Sequence, residues 1–434
     1  MFTTFQGSFV LSGHSIRNES FLKTVDSIRH QNLLEWECLL LLEECPTAEE
    51  VFVLGHHSPR FKIAEGDEWN LWQLIKSDVA IHVAAGTQLT SGALRLILSS
   101  IEPETLVVYG DSSGVIRPDW SPIRYLTDHY FGDVVAIVRP VADRFKCTRI
   151  PQPLSLGAQL SFRPTPEVIR LAQASTSQSN RLETINVVIP TAGFTAPGGK
   201  TDHPMVVELL DSLGNHENVS VTVVLDSRVF PNLRDELLSR QEISVVIFDG
   251  PFNFAKKCNV GASNFESDIV FFLNDDMTCL VPDWPTKVQA ALSHDSVAAV
   301  GGLLLDRDGL VQCAGHANHP VPHLFGVGLD PLDPMNTHSL QTLRETSGLS
   351  GACFAVKRTA FEAVGGMCEL LPNSYNDVDL GFKLMTSGWS LLYDPALKFV
   401  HLGSASRDPK VNEQESQLIG SRWGRYFDQD PYTP

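Results

Sequence analysis

The chain has 434 residues, 43% hydrophobic and 19% charged, with 31 Gly and 26 Pro, which excludes wholesale disorder and fibrous repeats and allows about two or three domains. Its 33 basic against 51 acidic side chains give a formal charge of −18, a surface that repels phosphate backbones and anionic head groups and counts against nucleic acid as a partner. The apolar runs 268–273 and 297–305 fall short of the roughly 20 residues of a membrane helix, the first residues lack a signal-peptide pattern, and the eight Cys form no C-x-x-C pair, so the expectation is a cytoplasmic protein with reduced thiols.

In chain order, the first half opens with apolar runs at 7–13 and 36–43 and a third at 77–86. A Pro-rich stretch at 163–166 then leads into polar, aperiodic residues, which reads as a linker at 175–184 between domains 1–174 and 185–434. The run 185–189, closed by Pro190 and a Gly-rich loop, predicts a buried strand. A helix follows, capped by Asp202, with Pro204 in its first turn, a stripe of Met205, Val206, Leu209, Leu210 and Leu213, and a stop at Gly214. The runs 219–225, 243–248 and 269–273 are spaced for crossovers, so the fold class is α/β with a mostly parallel, Rossmann-like sheet covered on both faces.

The two halves run in step. Segment 7–13 parallels 186–193, 36–43 parallels 219–226, and 77–86 matches 267–276 at a constant offset, so that Ala84, Ala85 and Gly86 stand where Asn274, Asp275 and Asp276 stand. The first half then reads as a copy that has lost these polar groups; chance similarity between two strand segments is the alternative.

In open α/β sheets ligands bind beyond the carboxyl ends of the strands. There the second half places Thr191, Asp226, Asn253 and the run Asn274, Asp275, Asp276. Adjacent carboxylates repel one another unless a hard divalent cation, Mg2+ or Mn2+, compensates them. The competing account makes one Asp a cap for the helix suggested by 282–284 and leaves the other solvated. Asp377 and Asp379 precede Leu380 and Leu384 and suggest the first turn of an amphipathic helix, where the macrodipole favours acids without any function. Asp377 lies nearer the loop and is the better placed to face a ligand; Asp379 fits a structural role. His401 ends a strand-like run, a position that is more often structural than ligating.

Together these stretches resemble the family 2 glycosyltransferases, specifically the bacterial rhamnosyltransferase-like enzymes of surface polysaccharide synthesis. The resemblance lies in Val187-Val-Ile-Pro-Thr191, Pro251-Phe-Asn-Phe-Ala-Lys-Lys-Cys-Asn-Val-Gly261, Phe272-Leu-Asn-Asp-Asp276, Pro282-Asp-Trp284, Val300-Gly-Gly302, Val311-Gln-Cys-Ala-Gly315, Ser350-Gly-Ala-Cys353, Val364-Gly-Gly-Met367, Asn376-Asp-Val-Asp-Leu380, and His401 with Ser404-Ala-Ser-Arg407. Tyr109-Gly-Asp-Ser-Ser113 and Arg117-Pro-Asp-Trp-Ser-Pro122 resemble the leading domain of tandem members.

The resemblance implies a nucleotide-diphospho-sugar transferase (GT-A-like) domain preceded by a degenerate copy of the same fold. Its activity would be inverting, metal-dependent transfer of a sugar, rhamnose at the family level, from a nucleotide-diphospho-sugar to a growing glycan, free or lipid-linked. The acceptor would be reached without a membrane span, through peripheral association at the inner face of the membrane. Carried over by residue, Asp276 and His401 hold the divalent cation, and Asp377 is the catalytic base. Asp275 and Asn274 lie against the donor, Thr191 and Asp226 line the nucleotide pocket, and Asn253 and Asn259 stand around it. Lys257 approaches the phosphates, while Gly351 and Ala352 face donor sugar and acceptor. Cys313, Leu402 and Gly403 depart from residues frequent in the family, which bears on acceptor choice. Two other classes stand beside this one. A catalytically silent sugar-binding or scaffold protein is opposed by the retained Asp276, Asp377 and His401. A nucleotidyltransferase is opposed by the lack of a basic Gly-rich loop after the first strand.

Overall fold

A computed structural model describes residues 7–13, 19–31, 36–42, 46–47, 60–64, 71–112, 121, 124, 134–139, 146–156, 184–195, 204–229, 231–333, 339–403, 412–427 and 430–432. The chain divides into two compact units, residues 1–174 and 175–433. The linker at 175–183, the Pro-rich stretch at 163–166, Asp202 and the motif 404–407 lie outside the described residues, as does 117–122 apart from Ser121.

The first unit contains β1 (Gly7–Gly13), β2 (Trp36–Leu42), β3 (Phe61–Ala64), β4 (Val79–Ala84), β5 (Gln88–Leu89), β6 (Thr105–Ser112), β7 (Val134–Val138) and β8 (Lys146–Leu156), in the spatial order β3-β2-β1-β4-β7-β6-β8-β5. The apolar runs of β4 and β7 sit at its centre, where neither face meets water. The helix Glu19–Arg29 lays Phe21, Val25 and Ile28, one face at helical spacing, onto Phe9, Leu11 and Ile81.

The second unit contains β9 (Ile185–Thr191), β10 (Val219–Asp226), β11 (Ile243–Phe248), β12 (Ile269–Leu273), β13 (Met277–Cys279), β14 (Val297–Leu305), β15 (Val311–Cys313), β16 (His316–Ala317), β17 (His323–Leu324), β18 (Arg344–Thr346), β19 (Cys353–Lys357) and β20 (Ser390–His401). Its main sheet runs β11-β10-β9-β12-β19-β14-β20-β13, with β15 on β14 and β18 on β20. The four consecutive strands β11, β10, β9 and β12 are parallel, joined by crossover helices, so their carboxyl ends share one edge. Every residue of β9 and β12 is buried, as their largely apolar text requires. The helix Met205–Leu213 starts after Pro204, which occupies the N-cap place, and stops at Gly214.

The two sheets follow one plan. Replacing β1 to β8 by β9, β10, β11, β12, β13, β14, β19 and β20 converts the first strand order into the second. Strand directions agree: β1/β2 and β9/β10 are parallel, β4/β7 and β12/β19 antiparallel, β6/β8 and β14/β20 parallel, β5/β8 and β13/β20 antiparallel. Local contacts recur as well. Ser77 Oγ donates to Val79 O at 2.6 Å and Ser267 Oγ to Ile269 O at 2.7 Å. Leu89 N donates to Ser27 Oγ at 3.1 Å and Cys279 N to Ser212 Oγ at 2.9 Å. Arg139 N donates to Asp78 O at 2.6 Å and Arg358 N to Asp268 O at 2.9 Å. Bonds recurring at matching places, the long-range ones to Ser27 and Ser212 above all, are not dictated by strand propensity alone.

Candidate active site

Beyond the shared carboxyl edge of the second sheet lies a cleft of about 410 Å3. Nine of the twelve residues given a site role from sequence line it: Thr191, Lys257, Asn274, Asp275, Asp276, Gly351, Ala352, Asp377 and His401. Asp226, Asn253 and Asn259 do not line it. The acids arrive there because β12 ends at Leu273 and the chain turns within three residues into β13, whose Met277 pairs with His401 at the end of β20. Leu402 N donates to the Asp276 carbonyl at 3.0 Å and closes this corner, so a residue 125 positions later is fixed beside Asp276 by backbone pairing alone.

The electrostatics of the corner favour a cation. Asp275 is buried, and its pKa is raised to about 6, first by loss of water and further by the neighbouring Asp276 charge, while a hydrogen bond from Thr191 and the Lys257 ammonium act the other way. Thr191 Oγ1 donates to Asp275 Oδ2 at 2.5 Å. Asp276 Oδ1 is buried, receives no hydrogen bond, and stands 3.1 Å from His401 Nε2. The other ring nitrogen, Nδ1, faces Gln312 Oε1 and Asn274 Nδ2 approaches Nε2 at 3.3 Å, a network that assigns the proton to Nδ1 and a lone pair to Nε2. A lone pair and a carboxylate oxygen at that separation repel one another unless a positive species lies between them. The pair therefore fits a divalent cation. Among the described residues no group of three or more His, Cys, Asp or Glu side chains gathers around one point, so a cation here would take its remaining ligands from substrate oxygens.

Across the cleft, Asp377 sits in the first turn of the helix Asn376–Thr386 with both carboxylate oxygens aimed by main-chain donors. Gly351 N donates to Oδ2 and Val378 N to Oδ1, each at 2.8 Å. A Cβ at 351 would lie 3.2 Å from the Cβ of Asp377 and press on its carboxylate. The same loop reaches the other acids: Asn274 N donates to the Ala352 carbonyl at 3.1 Å. One short segment thus ties the Asp276 corner to Asp377. Tyr375, which also lines the cleft, adopts φ +60°, a conformation costing a bulky residue on the order of 1–3 kcal/mol and typical of strained functional positions.

Asp379, two residues on, is fully buried and turned away from this chemistry. Trp423 Nε1 donates to it at 2.8 Å and the Arg422 guanidinium lies 3.2 Å away, so it ties its helix to the helix Glu413–Trp423. Asp379→Ala should lower unfolding free energy by about 3 kcal/mol, because it strips partners from buried donors, while turnover per folded molecule stays close to the parent's. Urea denaturation beside an activity assay reads both effects.

Lys257 and Asp226 are partners of one another. The Lys257 ammonium is buried at 1% exposure, lies 2.9 Å from Asp226 Oδ2, and donates to the Thr191 carbonyl at 3.1 Å. Its charge ties the ends of β9 and β10 together at the floor of the cleft. Lys257→Met keeps the stem and deletes the charge; it should cost about 3 kcal/mol of stability, the low end for one partner of a buried pair because Asp226 retains 22% exposure. A shift in the chemical-denaturation midpoint measures this.

Asn253 and Asn259 are structural clamps. Asn253 Oδ1 accepts from Lys256 N and caps the helix Phe254–Ala262, while its Nδ2 donates to Glu369 O. Asn259 exchanges hydrogen bonds with the Met367 backbone at 2.9 and 3.0 Å. Sequence reasoning assigned no role to four residues that matter here. Gln312 contacts His401, and Phe194 and Phe252 stand half exposed in the cleft wall. Glu415, buried in the helix Glu413–Trp423, accepts from Asn373 N and Ser374 N and so holds the loop that carries Tyr375. Gln312 and Phe252 lie inside the motifs 311–315 and 251–261, which was the available signal; Phe194 and Glu415 carried none.

No family model matches the chain. It is similar to an uncharacterized protein of Sinorhizobium fredii, 30% identical over 95% of this chain and 55% of the relative. It is 31% identical to the O-antigen biosynthesis protein RfbC of Myxococcus xanthus over 37% of this chain and 13% of that protein. It is 33% identical to an N-acetylglucosaminyl-diphospho-decaprenol L-rhamnosyltransferase of Mycobacterium tuberculosis over 33% of this chain and 50% of that enzyme. The chain spans about half the length of the first and third of these relatives, and less of the second.

Proposed function

From its similarity to an O-antigen biosynthesis protein and to a rhamnosyltransferase, we propose that the chain is a rhamnosyltransferase-like glycosyltransferase whose second unit transfers a sugar, rhamnose by that likeness, from a nucleotide-diphospho-sugar to a growing surface glycan with inversion at the anomeric carbon. The observation that carries this reading is the single cleft in which the Asp276 and His401 pair and the aimed carboxylate of Asp377 are joined through the loop 350–352.

Transfer develops negative charge on the leaving diphosphate and positive charge at the anomeric carbon. Asp276 Oδ1 and His401 Nε2 would hold the divalent cation, which when bound supplies Lewis-acid stabilisation of the leaving group. Thr191 keeps Asp275 oriented beside it, and Phe194 and Phe252 offer flat apolar surface to the donor. Asp377 accepts the proton of the attacking hydroxyl as the new bond forms. Gly351 N holds Asp377 Oδ2, leaving that oxygen's other lone pair and the free face of the carboxylate for the hydroxyl. A single displacement of this kind inverts the centre.

Among the described residues no helix is long and apolar enough to cross a membrane, and a lipid-linked acceptor would be met at the cytoplasmic membrane surface. The matched strand orders support reading residues 1–174 as a copy of the same fold in which Ala84, Ala85 and Gly86 have replaced the cation corner. Incubation with a panel of nucleotide sugars, Mn2+ and glycan acceptors should release nucleoside diphosphate from one donor, with NMR of the product giving the inverted anomer. Binding of a donor with no release, across the panel, would favour a silent sugar-binding protein.

A further inference from the structure

Building on the cation seat proposed above, we infer that Gln312 is a positioning residue whose side-chain amide decides which ring nitrogen of His401 faces Asp276. Gln312 lies in β15 and grips His401 twice. Its Oε1 accepts from His401 Nδ1 in a short contact, and its Nε2 donates to the His401 carbonyl at 3.3 Å. The first contact fixes the proton, since an amide oxygen only accepts; the second fixes the amide, since a flipped Gln would present oxygen to oxygen. With the proton held on Nδ1, the Nε2 lone pair points toward Asp276 Oδ1, the buried oxygen with no hydrogen bond.

The chain beyond His401 is shaped around this amide. Gly403 has φ +62°, and a Cβ there would stand 2.6 Å from Gln312 Nε2, so any side chain at 403 would displace the amide. The Gln312–His401 contact is also the one that orients the ring from outside the seat, the arrangement by which outer partners raise the affinity of a ligating His about 10–100-fold. Without it, the imidazole can turn an N–H toward Asp276 and satisfy that oxygen by itself, which fills the seat with a hydrogen bond in place of a cation.

The test uses the full chain and Mn2+ alone as probe, with two variants. Gln312→Met keeps length and loses the acceptor; Gln312→Glu keeps an acceptor for Nδ1–H and puts a second, anionic oxygen in place of the Nε2 donor. Free Mn2+ is followed by electron paramagnetic resonance, and the His401 tautomer by ring 15N shifts without metal. The expected result is an Nδ1–H tautomer and Mn2+ binding in the parent. Gln312→Met should show a mixture of tautomers and affinity lower by about 10–100-fold, and Gln312→Glu should recover the tautomer and most of the affinity. Parent-like tautomer and affinity in Gln312→Met would overturn the assignment, as would an equal loss in both variants with circular dichroism unchanged. A parent protein that binds no Mn2+ would overturn the cation seat itself, and this assignment with it; that failure appears in the parent, whereas failure of the assignment alone appears only in the variants.

Discussion

Asp377→Asn should fold as the parent does, bind donor with nearly unchanged affinity, and lose turnover by about 10²–10⁴-fold, the usual contribution of a positioned general base. The substitution is isosteric and gives up only the bond from Val378 N. An Asn at 377 retains an oxygen for the Gly351 amide, so the loop 350–352 keeps one anchor, and what disappears is the ability to take a proton from an attacking hydroxyl. The contrast with Asp379→Ala is the internal control. Two acids in one helical turn should separate into a loss of rate without loss of stability and the reverse. Near-parent turnover of Asp377→Asn in a steady-state assay would remove it as the base.

Asp276→Ala should abolish Mn2+-dependent donor binding and reduce turnover on the order of 10³-fold, since several kcal/mol of leaving-group stabilisation would be lost. Stability should move the other way or stay level. The substitution deletes a buried carboxylate oxygen that receives no hydrogen bond, so the unliganded variant is expected to melt at or above the parent temperature. Calorimetric titration with Mn2+ present and absent decides the first point: equal donor affinity for parent and variant would take Asp276 out of the cation seat.

The fold was written largely in local text. Largely apolar runs marked β9 and β12, which are buried throughout, and the stripe from Met205 to Leu213 with Gly214 marked a helix that stops at that glycine, though it starts only after Pro204. What escaped was pairing across long stretches of chain. Lys257 looks from its neighbours like a solvent-facing cation, and only the fold sets its ammonium beside Asp226, 31 residues earlier. Asn259 carries no sign that its partner is Met367, nor Asp379 that Trp423 will donate to it. Gln312 stood in a recognised motif, yet its partner lies 89 positions away on another strand. Residue type and spacing locate groups at a sheet edge; which of them point into the cleft and which fasten loops depends on contacts that spacing does not encode.

The hydrogen bonds from Asn274 N to Ala352 O and from Gly351 N to Asp377 Oδ2 are separated by a single peptide unit. The corner of buried acids and the opposing carboxylate are thereby mounted like the two jaws of a caliper whose gap is set by main-chain dimensions. Such a gap does not breathe with side-chain rotation, so which hydroxyl of a sugar ring comes into line would be selected by the walls that hold the ring, and altering those walls should change the linkage made while leaving the rate-determining groups in register.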